Sequence, residues 1–191
     1  MNLIPQIQYW LGIIPLPEQI DRSHSYILHL FDTPSYTYLL LDHLLRELKV
    51  DAVIHNGNLS SQLNISKNPH SKMEYEAHLE IFARILETHL ISKLFICLSP
   101  QDHEQSIRRA LPFASIHTPF GHATIDNQSY AFAYFQNNLP DSMDDFRLTP
   151  KKSIHFTTQK INWSTNKSDN FFIELIDTTT KSIWKLPYPH H

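Results

Sequence analysis

The chain has 191 residues, of which 41% are hydrophobic and 18% charged, so it is long enough for one folded domain and too apolar for a disordered one. Its net charge is −3 and no basic run exceeds two residues, which disfavours a broad electrostatic contact with nucleic acid. The three glycines are too far apart for a glycine-rich nucleotide loop, and the single cysteine, Cys97, excludes an intramolecular disulfide and a multi-cysteine zinc site.

Residues 1–25 are predicted to form an irregular apolar arm that packs on the domain or on a partner chain, and residues 26–191 a single domain. The arm contains three prolines, has no basic start and has an apolar run too short to span a bilayer. We therefore expect no membrane segment. Since a lone cysteine suits a reducing compartment, we expect a cytoplasmic location.

The first half of the domain alternates continuous apolar runs with helical periodicity. Strands are predicted over 26–31, 50–55 and 93–98, and helices over 36–48, 72–90 and 103–110. The helix over 72–90 is predicted to bury one apolar stripe and its neighbours, namely Met73, Ala77, Ile81, Ile85, Thr88, Phe82, Leu86 and His89. This alternation predicts an α/β protein whose parallel sheet is covered by helices.

The second half changes to short strands. These are predicted over 114–117, 122–126 and 130–135, with a turn at Asp126-Asn127, and a further strand is expected over 153–156. Residues 139–152 are polar and predicted to form a loop. The segments 171–177 and 182–186 flank a threonine-rich turn, which predicts a C-terminal hairpin.

Three side chains that could carry chemistry lie inside apolar runs. Cys97, His29 and His55 are each flanked by strand-forming apolar residues, so we expect them to be packed in the core.

Polar clusters follow the three predicted strands of the first half. Asp32-Thr33-Pro34 comes after the first, Asn56-Gly57-Asn58 after the second, and residues 100–104 after the third. The carboxyl ends of parallel strands meet at one edge of a sheet, where ligands bind in α/β proteins. The same residue types also form ordinary turns, so the pattern alone leaves both interpretations open.

The segments 27–34, 50–59 and 95–104 resemble, in order, the first three motifs of calcineurin-like metallophosphoesterases. In that family the corresponding strands end in Asp-x-His, Gly-Asp and Gly-Asn-His-Asp/Glu. The resemblance covers about residues 26–112. It implies an α/β sandwich of mixed β-sheets flanked by helices, with a second sheet built from the C-terminal half and closed by the C-terminal hairpin.

The resemblance also implies two divalent metals that clamp a phosphate, but the chain departs from the expected ligands. Asp32 matches the aspartate of the first motif, whereas Pro34 stands where its histidine should be. Asn58 replaces the aspartate that bridges both metals. A neutral amide is a poor bridge, because it does not offset the charge of two dications.

The third motif and the later motifs are also altered. Asp102 replaces the metal-binding asparagine, and His103 matches the histidine that contacts the reacting phosphate. Of the later histidine motifs, only His155 fits, and its alignment is loose.

Two hypotheses follow. In the first, the chain keeps the fold and has lost the metals, needs no cofactor, and acts as a binding or structural subunit with a protein partner or as a homo-oligomer. A phosphate-containing ligand is compatible with this role. In the alternative, a rebuilt site of Asp32, Asp102, His103 and His155 holds manganese, iron or zinc and hydrolyses a phosphomonoester or phosphodiester. Pro34 and Asn58 together favour the first.

Overall fold

The computed structural model describes residues 16–60, 63, 71–135, 138–139, 146–148 and 172–187. Part of the predicted arm, the predicted strand over 153–156 and His155 lie outside these ranges. The strands are β1 (Ser25–Leu30), β2 (Lys49–His55), β3 (Leu94–Cys97), β4 (Ser115–His117), β5 (Phe120–Ile125), β6 (Gln128–Ala133), β7 (Phe146–Leu148), β8 (Phe172–Asp177) and β9 (Ile183–Pro187). The helices are α1 (Tyr38–Glu47), preceded by a 3-10 turn (Ser35–Thr37), α2 (Lys72–Thr88) and α3 (Glu104–Ala110).

The larger sheet has six strands in the order β4-β3-β2-β1-β8-β9. Its first four strands run parallel, since a helix returns the chain between each strand and the next. The last two run antiparallel to their neighbours. The prediction of an α/β fold with a mixed sheet flanked by helices is therefore confirmed.

The smaller sheet has three strands in the order β5-β6-β7. Asp126 and Asn127 form the tight turn between β5 and β6, both with positive φ, as residues of a two-residue hairpin loop require. β7 was not predicted, because it lies within a polar stretch that resembles a loop. It pairs parallel to β6.

The C-terminal hairpin was predicted correctly as β8 and β9, but its expected place in the second sheet is wrong. β8 pairs with β1 inside the larger sheet. The reason is visible in its burial: Ile173 and Leu175 face the core beneath the helices, whereas Ile176 faces the core between the two sheets. A strand that buries both faces is suited to the interior of a sheet covered on both sides.

Two main apolar cores result from this arrangement. One lies between the larger sheet and the helices and includes Leu28 and Leu30 of β1. The other lies between the two sheets and includes Ile27 of the same strand. Because side chains alternate along a strand, β1 supplies both cores, and the layers are helices, larger sheet and smaller sheet.

The buried face of α2 differs from the predicted stripe. Met73 is 82% exposed and Ile81 45% exposed, and Ala77 and Thr88 also face solvent. Phe82 and Leu86, which were expected only to widen the stripe, lie at the centre of the true face. The side chains that α2 buries are Tyr75, Leu79, Phe82, Ala83 and Leu86.

The described part of the N-terminal segment is packed on the domain. Ile20 is buried and Leu16 is partly buried against the core beneath the helices. Within the ranges described here, no helix is both long and apolar enough to cross a membrane.

Candidate functional site at the strand-end junction

The loops that follow β1, β2 and β3 meet at one edge of the larger sheet, as expected. We call their meeting point the strand-end junction and define it by Asp32, Asn58 and Asp102. The backbone N–H of Asp32 donates to the carbonyl of Gly57 at 3.3 Å, and the N–H of Thr33 donates to the carbonyl of Asn58 at 3.2 Å. The first two loops are therefore joined through their backbones before any side chain contributes.

Gly57 permits the close approach of the second loop to the third. Its φ is +83°, and a Cβ at this position would lie 2.6 Å from the backbone nitrogen of Ser99 and 2.9 Å from the carbonyl oxygen of Cys97. Only glycine combines that backbone angle with that proximity. Asn58 and Asp32 also have positive φ, which asparagine and aspartate tolerate better than most residues.

The carboxylate of Asp102 is the hub of the junction. Its Oδ2 accepts hydrogen bonds from the backbone N–H groups of Asn58 at 2.7 Å and Ser99 at 2.8 Å. Its Oδ1 accepts from the N–H of Leu59 at 3.0 Å and from the hydroxyl of Tyr75 at 3.2 Å. A carboxylate has about four lone-pair positions, so the chain itself occupies all of them.

Asp32 and Asn58 form the direct side-chain pair of the junction. Nδ2 of Asn58 donates to Oδ1 of Asp32 at 2.6 Å, and Asn58 is only 9% exposed. Burial raises the pKa of Asp32; the hydrogen bond from Asn58 opposes this shift, and the negative charge of Asp102 adds to it. The junction thus contains two carboxylates whose charges act on each other.

Tyr134 follows β6 on the smaller sheet and lies near the same carboxylates. The pKa of its phenol is raised, chiefly by burial and then by the negative charges of Asp32 and Asp102. The smaller sheet therefore contributes an aromatic side chain to the surroundings of the junction.

His103 follows Asp102 in the chain, but its side chain contacts Ser106 at the start of α3. Its Nδ1 accepts a hydrogen bond from the backbone N–H of Ser106 at 3.3 Å, which caps the start of α3, and lies 2.9 Å from the Ser106 hydroxyl. That hydroxyl donates to Glu76 at 2.6 Å. Glu76 and Ser106 also line a groove between α2 and α3.

His55 joins the first two loops of the junction through hydrogen bonds, a role that the sequence did not reveal. The ring is fully buried, as predicted. Its Nδ1 accepts from the N–H of Gly57 at 3.1 Å, so Nε2 carries the proton and donates to the Thr33 hydroxyl at 2.6 Å. Burial, and then nearby His29, lowers the pKa of His55 to about 3. A neutral imidazole therefore holds the first two loops in place.

Tyr75 is the second contributor that the sequence analysis missed. It was overlooked because the predicted stripe of α2 began at Met73. Tyr75, Leu79, Phe82 and Leu86 share one helical face, but the stripe through Met73 has the same periodicity, so the pattern alone does not choose between the two faces.

The described residues do not fit the two-metal centre that the resemblance implies. Among them, no group of three or more His, Cys, Asp or Glu side chains is arranged to hold a metal ion. Pro34 has no donor atom on its side chain, Asn58 is neutral and directs its amide hydrogen at Asp32, and Asp102 is fully engaged by the chain. His155 lies outside the described residues.

No known protein family matches the sequence, and no curated protein matches it. Solved structures do match. One crystal structure matches with a TM-score of 0.51 at 11% identity, over 85% of this chain and 98% of that chain. The phosphoesterase YfcE from E. coli has a TM-score of 0.48 at 12% identity, over 85% of this chain and 99% of its own. The protein of unknown function AQ665 from Aquifex aeolicus has a TM-score of 0.38 at 14% identity, over 62% and 64%. The first match shows a shared fold, and shows nothing about activity.

Proposed function

We propose that this chain is a calcineurin-like phosphoesterase scaffold that has lost hydrolysis and works as a binding or structural subunit. The fold assignment is supported by the order of the motifs along the chain. Asp32, Asn58 and Asp102 follow three consecutive parallel strands, with α1 and α2 between them, and meet at one edge of the sheet. This is where the three resembling motifs are expected to converge.

The observation that carries the loss of hydrolysis is the hydrogen bonding of Asp102. Three backbone N–H groups and one tyrosine hydroxyl fill its acceptor positions. To bind a cation, Asp102 would have to give up bonds that hold the loops after β2 and β3 together. Its role in this proposal is to fasten the loops, and the side chain of Asp32 is left as the remaining anionic ligand of the junction.

A binding role is supported by apolar side chains at the surface. Four large apolar side chains of the described residues are more than half exposed, namely Leu39, Met73, Leu90 and Phe135. The proposal therefore expects a protein partner, or a second copy of the chain, and sedimentation of the purified protein would distinguish a dimer from a monomer.

Metal content and turnover test the proposal together. The protein is purified without chelator, its manganese, iron and zinc are measured, and it is assayed with p-nitrophenyl phosphate and bis(p-nitrophenyl) phosphate in the presence of manganese. We expect well below about one metal per chain and no turnover above the buffer rate, because a phosphoesterase centre of this kind needs two metals.

About two metals per chain, or turnover that Asp32→Asn abolishes, would establish the alternative, a metal-dependent phosphoesterase with a rebuilt site. Asp126→Asn is the matched control, since Asp126 is an exposed aspartate with a similar positive φ in the β5–β6 turn. Turnover that survives Asp32→Asn and co-purifies with the chain would contradict both the loss of hydrolysis and a rebuilt site that uses Asp32.

A further inference from the structure

Asn58 joins all three loops of the strand-end junction. Its side-chain amide donates to Asp32 after β1 at 2.6 Å. Its backbone N–H donates to Asp102 at 2.7 Å and to the Ser99 hydroxyl at 3.1 Å, both after β3. One residue of the β2 loop therefore contacts both neighbouring loops, and its φ of +57° is the backbone angle that allows it.

The two carboxylates on either side of Asn58 need compensation. Asp102 obtains it from the four donors described above. Asp32 is half-buried, and Asn58 is the one donor to its carboxylate that the described residues show. A partly buried carboxylate without a donor or a cation is costly, and a second carboxylate nearby adds to the cost.

We propose that the Asn58 carboxamide is a lock that closes the strand-end junction without a bound cation. The amide N–H compensates Asp32, while the absence of charge on Asn58 avoids a third carboxylate beside Asp32 and Asp102. The inference rests on the proposed function, because it explains how the loops of a metal-free scaffold are held in place. Its test uses stability instead of hydrolysis, so the two can fail separately.

An exchange of the two side chains provides the test. Thermal unfolding is measured in EDTA near neutral pH for the wild type, Asn58→Asp, Asp32→Asn and the double variant that carries both changes. Asn58→Asp sets two carboxylates at hydrogen-bond distance, so we expect its Tm to fall by about 5–10 °C. The double variant again pairs one amide with one carboxylate, so we expect it to recover at least half of that loss.

Asn127→Asp is the matched control for an asparagine-to-aspartate change at positive φ. Asn127 has φ of +60° in the exposed β5–β6 turn, so we expect its Tm to change by less than about 2 °C. The wild-type Tm should be the same with EDTA and with manganese.

Three results would overturn the lock. The first is an Asn58→Asp variant that melts with the wild type in EDTA. The second is a double variant no more stable than Asn58→Asp. The third is a wild type that EDTA destabilises. If Asn58→Asp does not fold, recovery of folded protein in the double variant supports the lock, and failure of both variants to fold contradicts it.

Discussion

His29 on β1 and Glu174 on β8 lie directly opposite each other in the larger sheet and are joined by a 2.7 Å contact between Nδ1 and Oε2. Both side chains are essentially excluded from solvent, with 0% and 1% exposure. Lys185 of β9 reaches the other oxygen of Glu174 at 3.3 Å. The C-terminal hairpin is thus joined to β1 by a buried contact between side chains as well as by backbone pairing.

We predict that Glu174→Leu lowers the free energy of unfolding by about 2 kcal/mol, because it removes the acceptor beside the buried His29 ring and leaves that polar group without a partner. Urea denaturation of the variant measures this. The paired replacement His29→Phe with Glu174→Leu removes both polar groups and should recover most of the loss.

Glu104→Gln is the comparison for an exposed pair. Glu104 contacts Arg108 one helical turn away, and both are about half exposed. It should change stability by less than about 0.5 kcal/mol. If the changes at Glu104 and Glu174 lower the free energy of unfolding equally, the buried contact contributes no more than the exposed one.

A second prediction concerns two tyrosines that are buried in the core beneath the helices, Tyr75 of α2 and Tyr38 of α1. Tyr75 donates to Asp102, whereas the buried hydroxyl of Tyr38 has no hydrogen-bond partner among the residues that the structure describes. Removal of the Tyr75 hydroxyl by Tyr75→Phe should cost about 1 kcal/mol or more, since it leaves one acceptor position of Asp102 empty. Tyr38→Phe removes an unsatisfied group from the same core and should be neutral or stabilising.

Chemical denaturation of both variants checks the contrast. If Tyr38→Phe is the more destabilising of the two, the hydrogen bond to Asp102 is not what makes Tyr75 important. The stabilising role of Asp102 would then depend only on its three hydrogen bonds from backbone N–H groups.

The sequence was sufficient for the parallel half of the fold. Continuous apolar runs separated by helical periodicity predicted β1, β2 and β3 with α1 and α2 between them, and the edge where polar loops meet follows from that order. Such signals are local, and each needs only a few neighbouring residues to be recognised.

The face that α2 buries could not be chosen on the same basis. Its stripe through Met73, Ala77 and Ile81 is as apolar as the stripe through Tyr75, Leu79 and Phe82, and only the second is buried. The choice depends on what each stripe would contact. Tyr75 gains the junction, where its hydroxyl finds an acceptor in Asp102.

The hydrogen bonding of the Asp102 carboxylate could not be predicted from the sequence either. Three of its four donors are backbone N–H groups, which every residue but proline carries and which no sequence pattern distinguishes. Two of them, from Asn58 and Leu59, come from more than 40 residues earlier in the chain. Residue types indicated where a site could lie, whereas the availability of its carboxylates depended on the folded backbone.

A third prediction concerns the pH dependence of stability. His24, just before β1, contacts Asp177 at the end of β8 at 2.7 Å. This hydrogen bond raises the pKa of His24, with smaller contributions from the charges of Asp177 and Asp21 and an opposing one from burial. Burial also acts against ionised Asp177, but hydrogen bonds from Thr180, His24 and Thr179 lower its pKa overall.

The directions of these two pKa shifts define the pH range in which the contact stabilises the fold. A raised histidine pKa contributes stability that is complete below about 6.5, the unfolded value, and is lost as the pH rises through the folded pKa. A lowered aspartate pKa contributes stability above about 3.8 that is lost as the pH falls through the folded pKa. The contact should therefore stabilise most between about pH 4 and 6.5.

Denaturation between pH 5 and 8.5 measures the contribution of His24. We expect the wild type to lose stability relative to His24→Gln as the pH rises above about 6.5. Asp177→Asn should remove most of this dependence, since Asp21 contributes only a smaller part, while its amide oxygen still accepts the N–H groups of Thr179 and Thr180 in the turn. Parallel pH profiles for the wild type and His24→Gln would rule the contact out as their source.

The last prediction concerns rebuilding a cation site at the strand-end junction. Pro34→His together with Asn58→Asp returns one imidazole and one carboxylate beside Asp32, so that three side chains with two negative charges replace one charge and a neutral amide. Such a set can hold one divalent cation. Asp102 is still hydrogen-bonded by the chain, so we expect about one manganese per chain and little or no turnover.

Calorimetric titration with manganese would show binding by the double variant, none by the wild type, and weaker binding by Asn58→Asp alone, which lacks the imidazole. Strong binding by the wild type, or none by the double variant, would contradict a preserved scaffold whose ligands have been replaced.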